Sequence, residues 1–149
     1  MSYTEIVQLK KLAETGDDEA KYELAIHLFN GDACNKDISG AIQFLEEACC
    51  SSNRARKLLA YYYITGQIVE KNIDKGIDLL QKAAMDLDDE ACKNLGVMYY
   101  SGIEIKRNKE IAESWFNLSN ISKFDLFKLK VNLSFSRTCY RLGSFLKNI

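Results

Sequence analysis

The sequence predicts an all-α fold, a solenoid of stacked helical hairpins, and three observations predict it. One pattern occurs three times: Ala, three residues, Leu, a small residue, two residues, an aromatic or Leu, two residues, Gly. Its copies start at Ala20, Ala55 and Ala91, which are 35 and 36 residues apart. A second half repeats in phase. Ala41, Gly76 and Ala112 align, as do Phe44-Leu45, Leu79-Leu80 and Trp115-Phe116, then Ala48, Ala83 and Ser119. Self-similarity near this period marks helical hairpins that stack, because one hairpin cannot bury its apolar face alone. The third observation is that the 149 residues contain no proline, which suits a chain of helices because proline breaks helix interiors.

The elements follow in order. Ser2-Tyr3-Thr4-Glu5 reads as a capping box. It opens a helix to about Glu14 whose apolar stripe is Ile6, Leu9, Leu12 and Ala13. Ala13 precedes Ala20 by seven residues, as Ala48 precedes Ala55. Residues 1–15 are therefore the second half of a repeat and form an N-terminal cap on the stack. Three repeats follow, over 16–50, 51–85 and 86–119. In the first, Gly16 breaks the preceding helix and Asp17-Asp18-Glu19 place negative charge where the helix dipole favours it. Helix A runs to about Asn30 and ends at Gly31; helix B spans about Ile38 to Cys50. In the second, Ser51-Ser52-Asn53 supply the cap, helix A ends at Thr65 and Gly66, and helix B runs from about Ile73 to Ala84 under Asn72 or Asp74. In the third, helix A runs from about Asp88 to Ser101 and Gly102, and helix B from about Asn108 to Leu118.

Small residues predict where helices cross. Ala25, Ala60 and Gly96 share one position, and Ala41, Gly76 and Ala112 another. Leu24, Leu59 and Leu95, with Phe44, Leu79 and Trp115, are expected to fill the space between hairpins.

Residues 120–149 stand apart. Ser122-Lys123-Phe124-Asp125 is a further capping box. After it Phe124, Phe127, Val131, Phe135, Cys139, Leu142, Phe145 and Ile149 fall at helical spacing, although Phe127 to Phe135 also alternate like a strand. The longer pattern favours helix, as one segment or two broken near Ser136. Its expected role is to cover the open end of the stack.

Charge and cysteine bound the chemistry. Net charge is −1, which argues against general nucleic-acid binding. Residues 120–149 carry +5 and residues 1–119 carry −6. Cys34, Cys49, Cys50, Cys92 and Cys139 are odd in number and form no CxxC pair, which suits neither a disulfide framework nor a zinc site. They read as buried thiols in a reducing compartment. Met1 to Leu12 has no signal-peptide core, and no stretch has transmembrane length. The expected location is cytoplasmic, with no membrane partner.

These residues resemble the Sel1-like repeat family, a relative of the tetratricopeptide repeats, with the approximate pattern AxxxLGxxYxxGxGVxxDxxKAxxWYxKAA. The third repeat keeps Ala91, Leu95, Gly96, Tyr99, Gly102, Ala112, Trp115 and Phe116. The second keeps Ala55, Leu59, Tyr63, Gly66, Val69, Lys75, Ala83 and Ala84, and the first Ala20, Leu24, Gly31, Asp37, Ala41 and Ala48. The pattern's second loop glycine is replaced by Ala33, Ile68 and Glu104, so the loops are expected to bend differently. Residues 120–149 do not match. The resemblance implies a right-handed α-solenoid of about three hairpins, in one domain over 1–149, with a concave face lined by A helices. Transferred repeat by repeat, that face comprises Glu19, Tyr22, Ile26, Phe29 and Asn30, then Arg54, Lys57, Tyr61, Ile64 and Thr65, then Glu90, Lys93, Val97, Tyr100 and Ser101. The other reading of its aromatics is that several belong to the hairpin core or lie under the C-terminal segment.

Catalytic constellations are missing from the pattern. His27 is the sole histidine and reads as structural. No GxGxxG or GxxxxGK[ST] loop occurs. Asp17-Asp18, Glu46-Glu47 and Asp88-Asp89 suit capping and solvation. The chain is therefore read as no enzyme, with no cofactor and no metal. It is read as an adaptor that binds a protein or peptide in the concave groove. The alternative is an immunity or inhibitor protein that occludes another protein's active site, which an acidic body would suit.

Overall fold

In a computed structural model the chain is all helical among the described residues, which are 3–31 and 35–146 for the backbone and 4–31 and 35–134 for the side chains. It forms two compact units, Met1–Asp86 and Leu87–Ile149. The first holds α1 (Tyr3–Glu14), α2 (Asp18–Asn30), α3 (Ile38–Ala48), α4 (Asn53–Thr65) and α5 (Ile73–Met85). The second holds α6 (Asp89–Ser101), α7 (Lys109–Leu118) and α8 (Lys123–Leu146). Helices α2 with α3, α4 with α5 and α6 with α7 pair as hairpins; α1 packs on α2, α3 on α4, and α8 on α6.

The caps carry the repeat as clearly as the core does. Asp17, Ser52 and Asp88 start the A helices, each side chain accepting the N–H of the third residue on. Asp37, Asn72 and Asn108 start the B helices in the same way. Such caps satisfy amides that the helix itself leaves unpaired. The N–H of each B cap also donates back to the A helix, to Leu28, Tyr63 and Tyr99 carbonyls. Gly31, Gly66 and Gly102 close the A helices with φ near +70°, a conformation that glycine adopts without a Cβ clash.

Close packing at the crossings follows the small residues. Ala25, Ala41, Ala60 and Ala112 are fully enclosed. A Cβ on Gly96 would stand 2.5 Å from Phe116, and one on Gly76 would stand 2.5 Å from Ile64 and 3.0 Å from the Ala60 carbonyl. Leu24, Leu59 and Leu95 are buried as expected. On the B helices it is Leu45, Leu80 and Phe116 that fill the core, while Phe44, Leu79 and Trp115 are half-buried at its edge. In α1, Ile6 and Ala13 are buried and Leu9 packs on the core, but Leu12 is half exposed, so the expected stripe is narrower by one residue.

Arg56 is a feature the periodicity did not announce. It is buried in unit 1, where its guanidinium donates to the Cys49 and Cys50 carbonyls at 2.8 and 2.6 Å, to Asn53 at 2.6 Å and to Asp86. The carbonyls of the two residues that follow α3 are thereby satisfied, and the desolvated charge is paired.

At the pattern's lost glycines, Glu104 keeps a left-handed φ of 68° and Ile68 does not; the Ala33 position lies outside the described residues, as do Ser2 of the first capping box and Cys34. Helix α8 is continuous, and its inward face corrects the expectation. Leu126, Leu129 and Leu133 are half-buried, whereas Phe124, Phe127 and Val131 face outward. Alternate residues on a helix lie on opposite sides, so the strand-like alternation was two apolar stripes on one helix. The side chains of Phe135, Cys139, Leu142, Phe145 and Ile149 lie outside the described residues.

Candidate functional site

In unit 1 the two A helices, α2 and α4, present a charged end and an aromatic end. Arg54, in the first turn of α4, is the charged centre. Its guanidinium pairs with Glu19 and, at 2.8 Å, with Glu23, and lies 4.3 Å from the centroid of the Tyr22 ring. Glu19 and Arg54 hold the same place in successive repeats, so stacking sets them side by side. Partial burial works against the Arg54 charge, but the two carboxylates outweigh it and hold the guanidinium above its ordinary pKa.

At the aromatic end, Phe29 and Tyr62 meet with ring centroids 5.2 Å apart, and Tyr61 meets Tyr62 at 5.6 Å. Tyr61 is 48% exposed. Its hydroxyl is 3.3 Å from Gln67 Oε1. Tyr62, beside Phe29 of the neighbouring repeat, takes up the interrepeat contact. Tyr63 instead turns to the B helices: its hydroxyl donates to Glu46 at 3.2 Å and Lys75 lies over its ring. Ile26 and Lys57 are half-buried, and Asn30 and Thr65 are exposed at the helix ends. Tyr22 and Phe29 also pack on the core, so each is part anchor and part surface.

In unit 2, Glu90 is exposed and Lys93 and Val97 are half-buried on α6. Three positions correct the transferred list. Ser101 is buried, donating to the Met98 carbonyl at 3.2 Å and accepting the Ile103 N–H. Ile64 points at Gly76 on α5. Tyr100 turns toward α7 and α8, with its ring 6.4 Å from that of Phe116 and beneath Arg107 and Lys130. Ile64 and Tyr100 share one repeat position with Phe29, four residues after the small residue at the crossing, which puts them on the helix's inner side. Glu23 was missed, although it lies one turn from Glu19 on the same face.

Elsewhere burial and local hydrogen bonds shift several titratable groups. Burial pushes the Cys49 thiol up to about 12, against a smaller opposing effect of Arg56. Burial also raises Cys92. Cys50, by contrast, is exposed, against the expectation of a buried thiol. The Ser51 hydroxyl, donating at 2.5 Å, holds Asp18 below its ordinary value against partial burial, with Lys21 assisting. His27 is half-buried within α2. Among the described residues no three His, Cys, Asp or Glu side chains converge as metal ligands, and no helix is long and apolar enough to cross a membrane. An open depression of about 360 Å³ beside the α4–α5 turn is lined by Tyr63, Val69, Glu70, Lys71, Asn72 and Lys75. Its Asn72 is occupied as the α5 cap and its Lys75 by the Tyr63 ring.

The Sel1 repeat family model matches residues 18–53, 54–86 and 89–119, which is most of the chain. The chain belongs to the Sel1 repeat family. The chain is 31% identical over 127 residues to the Sel1-repeat-containing protein YjcO of Escherichia coli K12. That match covers 80% of this chain and 56% of YjcO, so the chain spans about half the length of the curated relatives it matches. Among solved structures, a Sel1 repeat protein from Oxalobacter formigenes superposes with a TM-score of 0.73 at 26% identity, covering 87% of this chain and 97% of that one. A protective antigen of uropathogenic Escherichia coli strains with an SLR fold gives 0.70 at 32% identity, covering 76% of this chain and 24% of that one. Sel1-repeat proteins generally mediate protein–protein interaction, as non-catalytic repeat scaffolds.

Proposed function

We propose that this Sel1-repeat chain is a non-enzymatic adaptor that holds a protein or peptide segment against its A-helix face. The observation that carries the reading is the α2–α4 surface of unit 1, where exposed Tyr61 adjoins the Tyr62–Phe29 pair and Arg54 lies over Tyr22. Tyrosine and arginine are the residue types that dominate binding hot spots, because each offers a large rigid contact with a polar tip. The pre-paired Glu19–Arg54–Glu23 cluster holds the charged end in one geometry, so a partner meets an ordered surface. Core hairpins need only one side of each A helix, and the polar, aromatic mixture on the other side is what recognition uses.

Site-specific photo-crosslinking in the native host tests this. A photoreactive residue at position 61 is expected to trap a discrete partner band. The same residue at Asp78, exposed on α5, is expected to trap none. Arg54→Ala in the position-61 background is expected to weaken the band. Equal trapping at both positions overturns the reading. If the trapped partner is an enzyme whose activity falls on binding, the adaptor acts as an inhibitor.

A further inference from the structure

We infer that the outward stripe of α8 is a second docking surface, and that its occupant is an acidic amphipathic helix of a partner protein. It goes beyond the α2–α4 face and depends on none of its residues. Phe124, Phe127 and Val131 are 65%, 65% and 49% exposed. They are spaced i, i+3 and i+7, so they form one narrow seam on α8. The opposite stripe, Leu126, Leu129 and Leu133, is half-buried, and α8 packs on α6. The helix therefore has two apolar faces and spends one.

The caps show where this seam stands in the repeat. Ser122 Oγ accepts the Asp125 N–H at 3.1 Å, as Asp88 accepts the Ala91 N–H at 2.9 Å. Aligned on these caps, Phe124, Phe127 and Val131 fall at the places of Glu90, Lys93 and Val97 on α6. In its register α8 is thus a further A helix, with phenylalanine where the A helices of the repeats carry mostly charged or tyrosine side chains.

Charge selects the occupant. Lys123 and Lys128 flank the seam on its two sides, and Lys128 lies 4.5 Å from the centroid of the Phe124 ring. Lys130 is held at 2.5 Å by Glu113. The one carboxylate of α8, Asp125, accepts from the Ser122 hydroxyl at 2.6 Å. A seam of this width suits a single helix carrying apolar residues at i, i+3 and i+7, and flanking lysines select glutamate or aspartate beside them. A second copy of α8 would set lysine against lysine. A lipid surface needs a broader apolar face than the one Phe124, Phe127 and Val131 form.

The probe is a synthetic fluorescein-labelled helix with Leu at the seam positions and Glu beside them. Its binding to the full chain is read by anisotropy at low and moderate salt. The controls are a scrambled peptide, a Lys-for-Glu peptide, and vesicles with and without phosphatidylserine. The acidic helix is expected to bind best and to weaken with salt. Phe124→Ala/Phe127→Ala is expected to weaken it about tenfold or more, and Lys128→Glu several-fold, while Tyr61→Ala leaves it unchanged. The phenylalanines are exposed, so circular dichroism of the variants should match the parent. Binding of the scrambled peptide as tightly, binding only to anionic vesicles, or self-association that depends on Phe127 would each overturn the assignment. None of these outcomes touches the crosslink at position 61.

Discussion

At the scale of single residues, the hairpin crossings show how composition compensates. Ala25 and Ala60 share their repeat position with Gly96, and Leu45 and Leu80 share theirs with Phe116. The larger ring in the third hairpin needs the smaller partner, since a Cβ on Gly96 would stand 2.5 Å from it. Gly96→Ala should therefore destabilise the fold by about 1–3 kcal/mol despite the better helix propensity of alanine. Phe116→Leu should cost about 1–2 kcal/mol through the lost volume. The double variant should cost clearly less than the two together, and urea unfolding of the four proteins measures the coupling. The adjacent thiols make a second test. Cys50 is exposed, and Cys49 is raised to about 12 by burial. Iodoacetamide at pH 8 should label Cys50 and leave Cys49 nearly untouched until the chain unfolds. Because burial raises the folded pKa of Cys49 from 9.0 to about 12, the unfolded chain loses this proton first. The stability from Cys49 is therefore fully present below pH 9 and is lost as pH rises toward 12. Cys49→Ala should flatten that alkaline decline in a series of melts.

At the scale of elements, the caps and the two faces of α8 do most of the positioning. Asn72 accepts the Lys75 N–H at 3.0 Å and donates its own N–H to the Tyr63 carbonyl at 2.8 Å. The second bond uses the backbone, so Asn72→Ala should remove only the first and destabilise the fold by about 1 kcal/mol. Thermal melts check this. On α8, Leu129→Ala should lower stability by about 1–3 kcal/mol. Phe127→Ala should change it by less than about 0.5 kcal/mol. The reverse order would mean that the helix is turned the other way. These elements also divide what a reader of the sequence sees from what is hidden. Helix starts and ends were legible because Asp, Ser, Asn and Gly recur on the repeat register, and local capping chemistry decides them. The inward face of α8 was not legible. Phenylalanine and leucine stripes of equal apolarity lie on opposite sides of one helix, and only contact with α6 separates them. Arg56 was hidden for a similar reason: two of its partners are the Cys49 and Cys50 carbonyls, which carry no side-chain signal, and Asp86 comes from the far end of the next helix.

At the scale of the molecule, two compact units each pair A helices that contribute to a core on one side and show polar and aromatic groups on the other. Within unit 1 the repeat register sets equivalent residues of stacked helices side by side, as it does Glu19 and Arg54. Near the helix ends the same register gives a different placement: Ile64, Tyr100 and Ser101 turn inward, toward the helices packed behind them or their own backbone. What survives is a surface of rigid aromatics and paired charges on α2 and α4, with the helices behind it occupied by packing. The photo-crosslink at position 61, set beside position 78, tests whether that surface is the binding face. A discrete partner trapped at 61, absent at 78 and weakened by Arg54→Ala is the predicted result. Equal trapping at both positions, or none at 61 while 78 captures a partner, would contradict it.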